Sequence, residues 1–377
     1  MGIVRFDEIA RECRETFKGS FTDMPIVGLE HIEPYDMKLK NYEVNVETTF
    51  TKQFHEGQIL FGRRRAYQHK ACVATFDGIC SGDITVIEPI EGKVYPELLP
   101  FIIQNDDFFE HAIKGSNGAL SPRVKWEHMA NFELNLPSLA EQKVLAENLW
   151  AAYEVKQSYL KIIEATEEMV KSQFIEMFGN PLSSVQRYTL KKLGDCCELN
   201  PRRPNLDIED TDNVSFVPMP SVSENGFLQD VADEEYGKVK KGFTYFENGD
   251  VLFAKITPCM ENGKGAIAEG LTNNIGMGST EFHVLRPIEG VSSPYWLLAL
   301  TRLPIFRERA SKNMTGTGGQ KRVPANYLEN FMVGLPPIEE QNRYENIYKQ
   351  ANKSGFKLRK SVDAIDKVIK SLINENL

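Results

Sequence analysis

The sequence predicts an α+β protein in which two pseudo-symmetric globular domains are separated by a pair of long antiparallel coiled-coil helices. Three observations lead to this fold class. A long segment of the chain occurs twice, each copy carries a sustained helical pattern, and the segments before the copies are rich in short β-type runs. With 377 residues, the chain is long enough for two or three domains that each bury a core.

The repeat extends without a gap from Arg123–Ser172 in the first copy to Arg322–Ser371 in the second. Both copies contain an Arg-Val pair, an Asn-Phe pair, a Leu-Pro pair and a Glu-Gln pair at matching places. A repeat of this length indicates two copies of one structural unit. What one half of the chain does, the other half is therefore expected to do as well.

Each copy of the repeat contains a heptad-like pattern, with positions at alternating spacings of four and three. The pattern runs from Leu145 to Met177 and again from Tyr344 to Asn376, which predicts a coiled-coil seam. Two separate amphipathic helices on different cores are the alternative, but the equal length and register favour pairing. Nine seam residues are predicted to form the helix-pair or partner interface: Leu145, Leu149, Tyr159, Ile163, Val170, Tyr348, Leu358, Val362 and Ile369.

Capping signals mark the ends of these helices. Ser138 and Glu141 form a predicted capping box, Pro337 stands at the equivalent of Ser138, and Gly179-Asn180-Pro181 should end the first helix. The first helix leads from the first globular domain to the second, so a second helix that pairs with it must run back. About 40 residues would span roughly 60 Å, with one globular domain at each end.

These signals predict four segments: a first globular domain at 1–135, a central helix at 136–181, a second globular domain at 182–334 and a C-terminal helix at 335–377. Short strands should correspond between the two domains. We match Glu56–Arg63 with Asn248–Lys255, and Ser81–Pro89 with Ser279–Pro287. At the start of each domain, Val4–Ile9 resembles Tyr188–Leu193, although the first domain has no full match to the leader Gln186-Arg187-Tyr188.

Composition narrows the possible functions. No run of about 18 apolar residues occurs and the N-terminus is unlike a signal peptide, so we expect a cytoplasmic protein without a membrane partner. The six cysteines and six histidines show no zinc-ligand spacing, which predicts buried free thiols and no metal site. A net charge of −9 weakens a nucleic-acid hypothesis, although a DNA-binding face needs only a local cluster of Lys and Arg.

Motifs for catalysis are missing from the sequence. It contains no P-loop, no H-E-x-x-H, no G-x-S-x-G and no glycine-rich strand-to-helix turn for a nucleotide or S-adenosylmethionine. We therefore predict no catalytic residue in this chain.

The densest basic run directly follows a predicted strand and includes an aromatic residue. Such a run can hold phosphates and recognise base edges, although a solvated loop that is salt-bridged to nearby acids is the alternative. Lys255 and Lys264 are its counterparts in the second half. The run contributes five predicted DNA-binding residues: Arg63, Arg64, Arg65, Tyr67 and Lys70.

A loop rich in Gly, Ser and Thr precedes each copy of the repeat, at Gly115–Val124 and at Met314–Val323. Small residues let backbone amides approach phosphate oxygens. A flexible hinge between domain and helix is the alternative, but the recurrence of the loop in both halves favours DNA contact. The predicted DNA-binding residues here are Arg123, Thr317, Gln320, Lys321 and Arg322.

Taken together, this layout resembles the specificity subunit of type I restriction-modification systems. The resemblance rests on Leu136–Gln142 and Leu335–Gln341, which close two variable domains and follow the Gly-rich loops and the Arg-Val pairs. It spans nearly the whole chain.

That resemblance implies two target-recognition domains, each of which recognises one half of a split, asymmetric sequence in double-stranded DNA. It implies also that the helices fix the gap between the half-sites and dock modification (methyltransferase) subunits, two of them, with restriction subunits joining the complex. In such systems S-adenosylmethionine, ATP and Mg²⁺ belong to the partner subunits. The alternatives are a protein-binding scaffold without DNA and the specificity chain of a related restriction-modification class.

Overall fold

A computed structural model describes residues 2–19, 22–118, 120–180, 187–317 and 319–377. The chain forms two compact units. The first unit consists of Met1–Lys161 and Leu358–Leu377, and the second consists of Ile162–Lys357. Each unit thus holds one globular domain together with one end of each long helix. The predicted boundary between 181 and 182, and Pro181 itself, lie outside the described residues.

Among the described residues of the first unit, nine strands form three sheets. A two-stranded sheet has the order β1-β9, a four-stranded sheet has the order β2-β8-β5-β6 and a three-stranded sheet has the order β3-β7-β4. The strands are β1 (Gly2–Arg5), β2 (Ala10–Cys13), β3 (Ile26–Val27), β4 (Lys52–Phe54), β5 (Ile59–Gly62), β6 (Ala71–Val73), β7 (Gly78–Cys80), β8 (Ile84–Pro89) and β9 (Glu133–Leu136).

The second unit repeats this plan with one additional strand in its described part. Its sheets have the orders β10-β19, β11-β18-β15-β16 and β13-β12-β17-β14. The strands are β10 (Leu190–Lys192), β11 (Cys197–Leu199), β12 (Asn213–Val217), β13 (Ala232–Glu235), β14 (Thr244–Glu247), β15 (Val251–Ala254), β16 (Gly265–Ile267), β17 (Ile275–Gly278), β18 (Phe282–Pro287) and β19 (Met332–Gly334).

Four short helices occur in the described part of each unit, and the last three of each set lie at equivalent places. In the first unit these are α1 (Phe6–Ile9), α2 (Leu99–Gln104), α3 (Asp106–Lys114) and α4 (Trp126–Met129). In the second unit they are α6 (Tyr236–Val239), α7 (Pro294–Arg302), α8 (Pro304–Lys312) and α9 (Ala325–Glu329). The long helices are α5 (Leu139–Phe178) and α10 (Ile338–Asn376). Short 3₁₀ turns occupy Leu29–His31, Ala66–Gln68, Pro96–Leu98, Leu193–Asp195, Met219–Ser221 and Thr272–Asn274.

Strand register confirms the predicted match between the halves. In the four-stranded sheets, Ile59 pairs with Ile87 and Val251 pairs with Leu285. The amide of Gly57 donates to Ala74, as the amide of Gly249 does to Ala268. Apolar residues from both faces of these sheets fill the cores, which include Leu60 in the first unit and Leu252 in the second.

The predicted match at the start of each domain was wrong by three residues. The amides of Phe6 and Leu193 both donate to the carbonyl of a matched phenylalanine, Phe132 and Phe331 respectively, at 2.8 Å in each case. Phe6 is therefore the counterpart of Leu193, whereas the sequence match assigned it to Leu190. The shared element is a short strand that pairs with the end of its own domain, and such a short element carries too little pattern to fix its register.

Helix ends follow the predicted capping chemistry. The Ser138 amide donates to Glu141 Oε2 at 2.9 Å, and the Glu141 amide donates to Ser138 Oγ at 3.4 Å. Helix α5 ends at Phe178, where Gly179 has φ +69° and its amide donates to the carbonyl of Ile175 at 2.8 Å. A left-handed glycine directly after the last turn is a common helix stop.

Within each unit the two long helices pack side by side and run antiparallel. In the first unit, Lys156 Nζ lies 2.6 Å from Asp366 Oδ1, and the Asn135 amide donates to the carbonyl of Leu377 at 3.0 Å. In the second unit, the late residues Phe174 and Phe178 of α5 contact the early Tyr344 of α10, with ring centroids 5.3 and 5.6 Å apart. The end of one long helix thus lies beside the start of the other.

The nine predicted seam residues all lie on buried or half-buried positions. Leu145, Leu149, Ile163, Val170, Tyr348 and Val362 are buried, and Tyr159, Leu358 and Ile369 are half-buried. Several of the most buried helix residues, however, lie beside that seam: Ala146, Tyr153, Phe174, Phe178 and Ile373. These side chains join the cores of the globular domains, so a heptad pattern alone does not reveal them.

A buried glutamine attaches each long helix to its globular domain. Gln142 Nε2 donates to the carbonyl of Pro137 at 2.8 Å, and its Oε1 accepts from the Tyr95 amide at 2.8 Å. Gln341 makes the same bonds, to the carbonyl of Pro336 and from the Ser293 amide, both at 2.8 Å. The recurring Glu-Gln pair thus has a structural reason, because its glutamine satisfies backbone groups that would otherwise be buried without a partner.

The state of the cysteines and the character of the helices bear on two predictions made from composition. All six cysteines are free, with five buried and Cys259 half-buried. Among the described residues, no helix is both long and apolar enough to cross a bilayer.

Replacing Gln341 with Ala should lower the unfolding free energy of the second unit by about 2–4 kcal/mol, because the Ser293 amide and two carbonyls lose a buried partner. Urea unfolding followed by circular dichroism measures this effect. Gln350, an exposed glutamine on the same helix, provides the control, and Gln350→Ala should leave the midpoint nearly unchanged. Equal midpoints for the two variants would contradict the structural role of Gln341.

Candidate nucleic-acid interface

The two predicted DNA-binding elements of the first half lie next to each other. After β5, the Arg63 amide donates to the carbonyl of Asp83 at 2.9 Å, and the Val124 amide donates to the carbonyl of Arg63 at 2.9 Å. The Arg65 amide donates to the carbonyl of Pro122 at 2.8 Å. The basic run and the loop before the repeat therefore form one surface, which we call the first edge: residues 63–67, Asp83 and residues 120–123.

The second unit builds the same surface from different side chains. The Lys255 amide donates to the carbonyl of Glu281 at 2.9 Å, and the Val323 amide donates to the carbonyl of Lys255 at 2.9 Å. The Thr257 amide donates to the carbonyl of Lys321 at 3.0 Å. We call this surface the second edge: residues 255–257, Glu281 and residues 319–322.

Backbone hydrogen bonds close the base of both loops. Asn117 and Arg123 exchange two bonds of 3.0 Å, and Thr315 and Arg322 exchange bonds of 2.9 and 2.8 Å. The second hairpin encloses one residue more than the first. Ala119 and Gly318, which belong to these loops in the sequence, lie outside the described residues.

An arginine at the base of each loop pairs with a carboxylate. Arg123 Nε lies 2.7 Å from Asp83 Oδ1, and Arg64 Nη1 lies 3.4 Å from the other oxygen of Asp83. In the second edge, Arg322 Nε and Nη2 lie 2.9 and 2.7 Å from the two oxygens of Glu281. For Arg64, the salt-bridged alternative that the sequence left open for the basic run therefore holds in part. Of the two loop arginines, 46% of the Arg123 side chain and 40% of the Arg322 side chain stay exposed.

These carboxylates are held in the charged form. Burial raises the pKa of Asp83, but the hydrogen bond from Arg123 and the charges of Arg123 and Arg64 outweigh it, so the pKa lies below its usual value. The hydrogen bond from Arg322 is the main cause that lowers the pKa of Glu281. Burial lowers the pKa of the neighbouring Lys255. Two basic side chains thus act on each carboxylate: Arg64 and Arg123 on Asp83, and Lys255 and Arg322 on Glu281.

Several predicted residues point into solvent without belonging to these ion pairs. In the first edge, Arg65 is exposed with φ +56°, and Tyr67 is 53% exposed on the turn that follows. In the second edge, Thr317, Gln320 and Lys321 are exposed. Sequence patterns missed Leu120, which is 93% exposed beside Ser121, the hydroxyl partner of Arg64. An isolated apolar residue in a polar loop leaves no periodic signal.

Lys70 and Lys264 have a different environment from the other predicted residues. Lys70 Nζ donates to the carbonyl of Leu29 at 2.6 Å, and Lys264 Nζ donates to the carbonyl of Met219 at 3.4 Å. Both acceptors begin a 3₁₀ turn, and both lysines are half-buried. This geometry favours a structural role, because the ammonium groups already bond to the protein.

A groove of about 840 Å³ adjoins the first edge. Its walls include Arg63, Lys52 and Lys125 together with the acids Glu12 and Glu127. Arg63 is half-buried, and its Nε atom is buried without a hydrogen-bond partner in the described part of the chain. Lys52 and Lys125 were not predicted from the sequence because they lie outside any basic run.

The duplicated fold thus places one cationic edge at the equivalent position of each unit. A family model described as type I restriction modification DNA specificity domain matches residues 12–162 and 186–359. Because these matches cover most of the chain, the protein belongs to this family. The family description argues against the scaffold alternative, which assumed no contact with DNA.

Individual relatives agree with this assignment. The chain is 43% identical over 148 residues to the specificity subunit of the Escherichia coli type I restriction enzyme EcoAI, a match that covers 39% of the chain and 25% of that protein. It is 40% identical over 152 residues to the E. coli EcoEI specificity subunit, covering 40% of the chain and 25% of that protein. The chain thus matches about a quarter of the length of these curated relatives.

Solved structures share the fold along nearly the whole chain. One is the S subunit of a type I restriction-modification system from M. genitalium, with a TM-score of 0.57, 10% identity, and coverage of 99% of this chain and 94% of that one. Another comes from structural work on complex assembly and conformational transition of the type I R-M system. It has a TM-score of 0.53, 18% identity, and coverage of 100% of this chain and 97% of that one.

Replacing Lys70 with Ala should destabilise the first unit by about 1–2 kcal/mol, because the Leu29 carbonyl loses its partner. Arg65→Ala, a substitution at a nearby exposed position, should leave stability nearly unchanged and weaken DNA binding instead. Thermal unfolding and fluorescence anisotropy with duplex DNA separate the two effects. A stable Lys70→Ala variant that had lost DNA binding would contradict the structural role of this lysine.

Proposed function

We propose that this chain is the DNA sequence-specificity subunit of a type I restriction-modification complex, and that each unit recognises one half of a bipartite, asymmetric DNA target. The observation that carries the proposal is the pair of cationic edges at equivalent places in a duplicated chain of this family. In each edge a strand end and a hairpin loop present basic side chains on one surface. Such clusters can bind DNA even when the whole protein carries a charge of −9.

Chemical differences between the edges support an asymmetric target. Arg64 and Arg65 occupy the places that Ile256 and Thr257 hold in the second unit, as the matched bonds to the loops indicate. Arginine can bond two acceptors of a guanine, whereas isoleucine offers only apolar contact and threonine a single hydroxyl. Two edges with such different donors should prefer different half-sites.

Docking of partner subunits is supported by a second apolar row on α5. In the first unit, Val144 and Val155 recur at helical spacing with the exposed, uncharged residues Asn148, Ala151 and Ser158. In the second unit, Ile162 and Met169 recur in the same way with Ala165, and the four apolar side chains are each 45–57% exposed. On α10 the equivalent places include Arg343, Gln350 and Lys357, so that row is more polar. An uncharged row at heptad spacing on a paired helix is suited to another helix.

The occupants that we propose for this row are modification (methyltransferase) subunits, two per complex, with restriction subunits joining the assembly. S-adenosylmethionine, ATP and Mg²⁺ would bind to those partners, and this chain would contribute no catalytic group. The sequence, which contains no nucleotide-binding motif, is in keeping with this division of labour. We propose a cytoplasmic location, where such a complex meets DNA.

Co-expression with the modification subunit from the same genome, in a host that lacks both, tests the proposed function. Single-molecule sequencing should then find methylated adenines in one bipartite motif with a fixed non-specific gap. The control is the modification subunit alone, which should produce no such motif. A soluble complex that bound no DNA and produced no new methylation would favour the scaffold alternative.

A second test addresses the docking row. Replacing Ile162 and Met169 together with Gln should reduce co-purification of the modification subunit by about tenfold or more, because apolar burial is lost at the contact. The matched control is Lys161→Gln with Lys171→Gln, at exposed positions on the same helix outside the row. Equal recovery of the partner with both double variants would exclude this row as the docking surface.

A further inference from the structure

One chemical feature is common to both edges although most of their side chains differ. Arg123 is held by Asp83 in the first edge, and Arg322 is held by Glu281 in the second. The acids occupy matched positions, because Ser81 Oγ accepts from the Asp83 amide and Ser279 Oγ accepts from the Glu281 amide, both at 3.2 Å. An arginine–carboxylate pair that recurs in both units calls for an explanation that applies to both units.

Different half-sites have one element in common, which is the sugar-phosphate backbone. A contact with the same chemistry and the same place in both units cannot discriminate between two unlike base sequences, whereas phosphate contacts carry no sequence information. Resting on the function proposed above, we infer that Arg123 and Arg322 are the phosphate-binding residues of the two units, with Asp83 and Glu281 as their positioning residues.

The geometry of the guanidinium groups fits this assignment. In both arginines the carboxylate accepts from Nε and Nη2, which leaves the remaining N–H groups for another acceptor. Because the acid fixes the planar group in advance, less side-chain entropy is lost when phosphate binds. Arg322 is fixed further, since its Nη1 donates to the carbonyl of Gln320 at 3.3 Å.

Charge balance does not prevent phosphate binding at either edge. Asp83 contacts both Arg64 and Arg123, so two positive charges surround one negative charge. Glu281 pairs with Arg322 while the charge of Lys255 also acts on it. Each cluster therefore keeps an excess of one positive charge, which a phosphate can neutralise.

Base discrimination is then expected from matched residues that differ between the two edges. Arg65 and Thr257 are matched through their amides, which donate to Pro122 and Lys321 of the adjacent loops. Their side chains offer different donors on the same surface. Arg65 is therefore the contrast residue, for which substitution should change the recognised sequence in one half-site.

The test uses the full chain with its modification subunit and measures both methylated motif and salt-dependent affinity. Arg123→Gln and Arg322→Gln should each weaken binding about tenfold or more on all sequences, with an unchanged motif. The slope of log affinity against log salt should fall by about one. Asp83→Asn and Glu281→Gln should leave the motif unchanged and should not lower the salt slope, because they remove no cation and each cluster gains one net positive charge. Arg65→Ala should instead relax one position of one half-site.

A relaxed motif in the Arg123 or Arg322 variants would overturn the inference, because it would assign base recognition to these arginines. Unchanged affinity and salt slope would overturn it as well. If Arg123→Gln lowers the melting temperature, Arg123→Lys retains the charge, and it should keep the slope while losing affinity. The failure of the proposed function itself would look different, since the wild-type complex would then neither bind nor methylate DNA.

Discussion

The attachment of each long helix to its globular domain is the constraint on which the rest of the structure depends. Gln142 and Gln341 are almost fully buried, and each bonds to the backbone just before its helix and to the backbone of the domain. Each long helix begins at this junction, so these bonds fix the direction in which the helix leaves its domain. Buried polar groups with all partners in place fix such a junction more strictly than apolar packing, which tolerates small shifts.

Around this junction the chain repeats an arrangement rather than a sequence. The sheets β2-β8-β5-β6 and β11-β18-β15-β16 have equivalent strand orders. The backbone hydrogen bonds that join the strand end to Asp83 or Glu281 and to the hairpin loop recur at nearly the same lengths. The side chains on this repeated backbone differ between the units. At one matched position, for example, the first unit has Arg64 and the second has Ile256. Backbone bonds thus define where DNA would lie, and side chains define what it would encounter there.

Sequence patterns gave the long helices, their seam, their caps and the central strands, because each rests on a periodic or local signal. The third sheet of the first unit escaped prediction, since its strands, such as Ile26–Val27, are too short to show alternation. The site could be predicted only as a set of candidates. Patterns of charge cannot distinguish Arg65, which is exposed, from the nearby Lys70, which bonds to a backbone carbonyl. That difference depends on a chain segment remote in sequence, Leu29.

The acidic character of the protein has a consequence for how DNA would approach it. A protein with a net charge of −9 repels DNA that approaches most parts of its surface. The cationic edges are local surfaces that attract DNA instead. Misoriented encounters would separate quickly, so the lifetime of an encounter would depend on its orientation. Added salt would screen the repulsion and the attraction together. The overall charge would thus act as a kinetic filter on orientation, in addition to whatever affinity the edges supply.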